Sequence, residues 1–204
     1  MHRYDVVTFT VPVGNVPKAL PGIERYCSNA IHGTLRACLT SEIGALNEIM
    51  IIRDFGSDGE RIEERERMLR DGNAFGIGEF INGMTASTFT LFPFVPPMVA
   101  GVQGPFFELR SYTMRPSGLT PTMAAWEAAL PKRILRSPLT AAMYAIEGEL
   151  PRFMHIWPYP SLDERLRIRS AAVADGVWPP KGGPDHLLTM RNAIYIAAPF
   201  SPLK

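Results

Sequence analysis

The feature that most constrains this chain is that it is written twice. Displacing the 204-residue sequence by 104 positions lays Gly44–Asp71 over Gly148–Asp175, and nine of the 28 positions agree. The matches are Gly44/Gly148, Leu46/Leu150, Met50/Met154, Ile52/Ile156, Ser57/Ser161, Glu60/Glu164, Arg61/Arg165, Arg65/Arg169 and Asp71/Asp175. About two would arise by chance at ordinary residue frequencies. The halves also end alike, with "PFVP" at Pro93 and "PFSP" at Pro199. A unit of this length exceeds a solenoid repeat and suits a small domain. Two domains are therefore expected, residues 1–97 and 105–204, joined where three prolines cut the apolar run "LFPFVPPMVAGV".

The second copy shows the element order more clearly. "FFELRSYTM" alternates as a strand, matched by "RYDVVTFTV" in the first copy. "LTPTMAAWEAALPKRILR" reads as a helix with Thr120 as N-cap and Pro121 in its first turn, and with Met123, Trp126 and Leu130 on one face. Pro131 is expected to kink or divide it, because proline lacks the N–H that a continuous helix uses. "LTAAMYAIEGELPRFMHIWPY" gives two strands around a turn at Gly148–Glu149. The motif Ser161-x-x-Glu164, repeated as Ser57-x-x-Glu60, opens a second helix as a capping box. An irregular stretch, "DGVWPPKGGPDHLL", precedes the last strand, "TMRNAIYIAAPF".

The resulting order, βαββαβ twice over, is α+β: an antiparallel sheet under a helical layer, the ferredoxin-like plan. One such unit leaves a sheet face bare. Two in one chain can cover those faces by packing their sheets together or curling them into a shared barrel. Burial of that face is a sufficient physical reason for the duplication.

Composition narrows the function classes. There are 21 Lys and Arg against 20 Asp and Glu, so bulk charge does not attract polyanions. The helix arginines Arg61, Arg65, Arg165 and Arg169 stand at i and i+4, and they are expected to hold buried carboxylates. Glu63, Glu64 and Glu66 beside the first pair disfavour a phosphate-binding strip, and no nucleic-acid partner is expected. No run reaches the length of a membrane span. The opening "MHRYDVVTFTVPVG" alternates as a strand rather than as a signal peptide, so a cytoplasmic location is expected. Cys27 and Cys38 read as buried thiols. The histidines His2, His32, His155 and His186 lack metal-ligand spacing, and no phosphate loop, nucleophile elbow or dinucleotide fingerprint occurs. No metal and no cofactor is expected.

"FELRSYTMRPSGL" followed by "GELPRFMHIWPYPSLDERLRIRSAAVADGVW" resembles the NIPSNAP domain, and the first half carries a weaker copy that includes "EIGALNEIMIIRDF". The resemblance covers nearly the whole chain as two tandem domains. It implies the fold of the dimeric α/β-barrel superfamily, whose members include small monooxygenases, dismutase-like haem enzymes and proteins of unassigned role. It implies no single reaction. The first half departs from the pattern: Ile51, Arg53 and Asp54 stand where the second has His155, Trp157 and Pro158. A site built on those residues belongs to the second half alone.

Side-chain parity on the strand Phe153–Tyr159 separates two faces. Met154 and Ile156, the repeated residues, are expected under the helices. Phe153, His155, Trp157 and Tyr159 are expected toward the opposing sheet. On the neighbouring strand Glu108, Arg110 and Tyr112 share a face, with Tyr4, Val6 and Thr8 as first-half counterparts. One reading gathers these into a pocket for a small organic molecule. There His155, Arg110 and Tyr112 are the catalytic candidates, with His155 as proton donor or acceptor and Arg110 holding an oxyanion. Glu108, Trp157, Phe153 and Tyr159 are the ligand-binding candidates. The other reading pairs Glu108 with Arg110 across the domain junction and gives His155 a local hydrogen bond. Two functions follow. One is a binding or structural protein, a homodimer through remaining sheet edges or helical surfaces. The other is a cofactorless oxygenase or isomerase acting on a small aromatic or acyl compound.

Overall fold

The computed structural model describes residues 2–204. The first unit runs β1 (Arg3–Thr10), α1 (Val16–Ser28), β2 (Thr34–Ile43), β3 (Glu48–Phe55), α2 (Asp58–Arg70) and β4 (Gly83–Leu91). The second repeats it as β5 (Phe106–Met114), α3 (Leu119–Ile134), β6 (Ala141–Glu147), β7 (Arg152–Tyr159), α4 (Leu162–Ala174) and β8 (Leu187–Ala197). The strands close into one barrel in the order β1-β3-β2-β8-β5-β7-β6-β4. Each unit contributes its four strands as a block, and the seams between blocks are β2–β8 and β4–β6, both antiparallel. Each strand thus has two neighbours, although the seams are short: residues 187–193 of β8 pair only with β5, and residues 83–87 of β4 only with β1.

Local expectations meet mixed outcomes. Ser57 and Ser161 each accept a hydrogen bond from the backbone N–H three residues on, at 3.2 and 3.0 Å, so both caps form. Changing Ser161 to alanine is expected to lower stability by about 1 kcal/mol, and Ser57→Ala by a similar amount, read from urea midpoints. Helix α3 starts two residues earlier than expected: Gly118 is its N-cap and Thr120 lies inside it. Pro131 does not divide the helix, which continues to Ile134. Cys38 is buried and Cys27 half-buried, both as free thiols.

The two faces of the strands are the reverse of the expectation. Met154 and Ile156 line the barrel interior with Val6, Met50, Ile52, Phe107, Leu109 and Met143. Phe153 and Trp157 face outward and pack under α3 and α4 with Tyr112, Trp126 and Ile168. Parity was right about which residues go together, but alternation alone carries no sign when both faces are apolar. Repetition gave no sign either. The interior of a barrel shared by two copies is where both copies must match each other, whereas each outer face answers only to its own helices.

Register corrects a second assignment. Asp5 pairs across the ladder with Arg53, and Glu108 pairs with Trp157, the position equivalent to Arg53. Asp5, rather than Tyr4, is therefore the counterpart of Glu108, and a one-residue slip moves every side chain to the other face. Both carboxylates point outward and are held by the repeated helix arginines. Arg65 reaches Asp5 at 2.8 Å, with Arg61 at 4.0 Å; Arg165 and Arg169 reach Glu108 at 2.5 and 3.3 Å. Arg61 also grips Glu147 of the second unit with two bonds of 2.8 and 2.9 Å. The expected arginine–carboxylate anchoring of α2 and α4 is what forms.

Candidate functional site

The outer face of β5 and β7 does not meet its helices everywhere. Between them lies a cavity of about 280 Å³. Its sheet wall carries Arg110, Tyr112, Phe153 and His155; α3 adds Thr122 and Trp126, and α4 adds Arg169 and Val173. The irregular stretch before β8 closes it with Trp178, Pro179, Pro180 and Pro184. The segment holds one short 3₁₀ turn, Gly183–His186, and lies as a rim across the helix–sheet gap.

Four of the seven sequence candidates, Arg110, Tyr112, Phe153 and His155, line this space. Glu108, Trp157 and Tyr159 stand behind it. Glu108 is wholly buried and binds Arg110 (3.1 Å), Arg165 and Arg169. The Glu108–Arg110 pair thus forms, within the second unit rather than across the junction, and a cavity remains in front of it. Arg110 Nε donates to the Tyr112 hydroxyl. Tyr159 accepts from the buried Arg133, whose guanidinium lies 4.2 Å from the Trp157 ring centroid and hydrogen-bonds Ser137 at 2.7 Å. Arg133 makes no ion pair among the described residues, and its charge rests on the indole face. Around Glu108, one carboxylate is shared by three guanidinium groups, so the region carries excess positive charge.

The geometry fixes the form of His155. Its Nδ1 lies 2.7 Å from Trp157 Nε1, and an indole nitrogen can only donate. Nδ1 must therefore accept, and the proton of the neutral ring sits on Nε2. Burial pushes the imidazole pKa well below its ordinary value, and the charges of Arg110, Arg169 and Arg133 push it further down. His155 is thus neutral at physiological pH, with Nε2–H as a donor. That Nε2 has no partner among the described residues, nor has the buried hydroxyl of Thr122, which also lines the cavity. Orphaned buried polar atoms are rare in folded proteins and call for a partner from outside. Tyr112 is held protonated, because burial raises its pKa more than the Arg110 charge lowers it.

Sequence reading missed Thr122, Trp126, Arg169 and Trp178 as cavity residues. A signal existed: all three tryptophans of the chain, Trp126, Trp157 and Trp178, come together here. In the first unit the equivalent space is filled. Ile51 occupies the place of His155 and packs with Ile23 and Phe75, while Arg53 forms a buried 3.0 Å pair with Glu64. Among the described residues no group of three His, Cys, Asp or Glu side chains stands close enough to hold a metal ion, and no helix is long and apolar enough to cross a membrane.

Fold and cavity together define the class: an α/β barrel made of two fused ferredoxin-like units, with a small aromatic chamber under the helices of the second. The NIPSNAP family model matches residues 4–96 and again 107–202, and the chain belongs to the NIPSNAP family. The NipSnap homolog of Dictyostelium discoideum is 24% identical over 181 residues, covering 86% of this chain and 77% of the relative. NipSnap of Drosophila melanogaster is 22% identical over 149 residues, covering 71% of this chain and 55% of the relative. Among solved structures, a provisional monooxygenase of Lactobacillus acidophilus NCFM superposes with a TM-score of 0.70 at 9% identity, covering 96% and 93% of the two chains. An anthrone oxidase-like protein superposes with a TM-score of 0.67 at 10% identity, covering 97% and 91%. At such identities the likeness is one of fold alone.

Proposed function

We propose that this chain is a small-molecule-binding protein whose ligand, a compact and largely apolar organic acid, occupies the chamber between β5, β7 and the helices of the second unit. The observation that carries this reading is the unpartnered His155 Nε2–H beside the unpartnered Thr122 hydroxyl, both buried in one cavity. Each has a hydrogen to donate, so the complementary group is an acceptor oxygen. Three guanidiniums on one carboxylate, with Arg133 unpaired behind, favour a negative one. Trp126, Trp178 and Phe153 supply walls for an apolar body. The volume lies just below the usual range of ligand pockets and has room for one substituted aromatic ring.

Binding is favoured over turnover by what the lining lacks. Its ionisable side chains are Arg110, Tyr112, His155 and Arg169, and none offers a free lone pair for a proton at neutral pH. An isomerase that moves a proton has no base here. An oxygenase remains the second reading for a substrate that enters already as its oxyanion, because the same two donors would stabilise it. Oxygen uptake with such a substrate tests this.

The clustering of the tryptophans supplies the binding assay. Titrating benzoate, phenylacetate and 4-hydroxybenzoate is expected to quench or shift tryptophan emission saturably. Thr122→Val and His155→Leu are each expected to weaken binding about tenfold, the loss of roughly one hydrogen bond to a charged group. Emission unchanged by every acid tested, with the protein folded, would sink the proposal.

A further inference from the structure

The barrel interior changes character along its axis. Inward-facing residues at one end are apolar: Tyr4 on β1, Ile52 on β3, Phe107 on β5 and Ile156 on β7. The segment after β4 and the C-terminus plug this end. Met98 and Leu203 join the core, Met98 N–H donates to the Tyr4 hydroxyl at 3.2 Å, and Gly101 pairs with Leu203. Toward the other end six of the eight strands turn polar. Val6 gives way to Thr8, Leu109 to Ser111 and Thr113, Met50 to Glu48, Met154 to Arg152, Phe89 to Ser87 and Thr85, and Ala193 to Arg191 and Thr189. These residues enclose an open bowl of about 890 Å³.

Core burial does not account for this bowl. An eight-stranded barrel is closed by side chains that fill it, or it holds one small ligand. Apolar residues at these inward positions would have extended the core, and here hydroxyls and guanidiniums occupy them instead. Arg152 is tied to Ser87 at 2.7 Å and lies 5.1 Å over the Phe89 ring. Its nearest carboxylate oxygen among the described residues, on the 65%-exposed Glu149, is 4.0 Å away, and its buried Nε has no partner among them. Arg191 makes no ion pair among the described residues, and its charge acts on Arg152, which places two like charges in one bowl. The remaining carboxylate, Glu48, accepts from the Tyr195 hydroxyl at 2.8 Å and pairs with neither arginine.

We infer that the open end of the barrel is a second binding site, for a small polyhydroxylated organic anion whose phosphate or carboxylate lies between Arg152 and Arg191. Ser111, the Thr113–Thr189 hydroxyl pair and the Ser87 hydroxyl held by Arg152 read its hydroxyls. Arginine forks match either acid group in geometry and charge. This site lies on the opposite face of β5 and β7 from the aromatic chamber and differs from it in ligand chemistry.

Isothermal titration calorimetry of the full chain with glucose 6-phosphate and with gluconate tests it, with inorganic phosphate as the comparator. At least one organic anion is expected to bind, and more tightly than inorganic phosphate by tenfold or more. Arg152→Gln and Arg191→Gln are each expected to raise its Kd at least tenfold. Arg191 is exposed and holds no partner, so its variant keeps the fold even where Arg152→Gln weakens it. Tryptophan emission should not change, because all three tryptophans lie on the other face. Three results each overturn the inference: no binding by either organic anion, binding no tighter than inorganic phosphate, or binding that survives Arg191→Gln and quenches tryptophan.

Discussion

Glu108→Gln is expected to cost about 3–5 kcal/mol of stability, the ordinary penalty for removing one partner of a buried ionic cluster. In a chain of this size that lowers the thermal midpoint by roughly 6–20 °C. The carboxylate is wholly buried, and Arg110, Arg165 and Arg169 converge on it from one strand and one helix. Glutamine preserves the shape and removes the charge, leaving three guanidiniums in mutual repulsion. Two of them belong to α4, so the helix that roofs the chamber should loosen first. Differential scanning calorimetry gives the midpoint, and hydrogen exchange of α4 amides gives the location. A midpoint within a degree of the parent would show that the three arginines are neutralised by something other than Glu108.

The second large effect concerns pH. The folded protein holds His155 neutral, with its pKa depressed chiefly by burial and secondarily by Arg110, Arg169 and Arg133. In the unfolded chain the same ring titrates near 6.5. Above that value neither state binds the proton and the residue contributes no pH dependence. Below it the unfolded state takes up a proton that the folded state refuses, so stability falls as pH falls, until the depressed native value is reached. The slope is at most about 1.4 kcal/mol per pH unit. His155→Gln keeps an acceptor for the Trp157 N–H but cannot titrate. Between pH 7 and pH 5 the parent should therefore lose about 2 kcal/mol more than the variant in urea unfolding. Parallel curves would mean that the native imidazole accepts the proton, and that the assignment of Nε2–H is wrong.

The architecture could be read from the chain because duplication reports on itself. Matching residues such as Ile52 and Ile156 are matched because both line one barrel, and the capping serines Ser57 and Ser161 start equivalent helices. The sign of the strand faces could not be read. Phe153 and Met154 are both apolar, and only the closure of the barrel decides which of them meets the helices. Arg110, Tyr112 and His155 were found by shared parity, a local property. Thr122 and Trp178 come from a helix and a proline-rich rim that alternation cannot place. Nothing local marks the polar residues Ser111, Thr113, Arg152 and Arg191 as a group, and only closure of the barrel brings them to one interior.

Fusing the two units in one polypeptide has a consequence for how their sites can diverge. A barrel assembled from two identical chains carries every substitution in duplicate, so a change that fills a chamber on one side fills its mirror image as well. Here each seam and each helix–sheet layer exists once per molecule. The first layer is packed solid by Ile51, Phe75 and the Arg53–Glu64 pair, while the second keeps its hollow behind Trp126 and Trp178. Covalent linkage breaks the twofold symmetry at the level of the gene: one half is free to be ballast while the other specialises, and the barrel they share holds both in register.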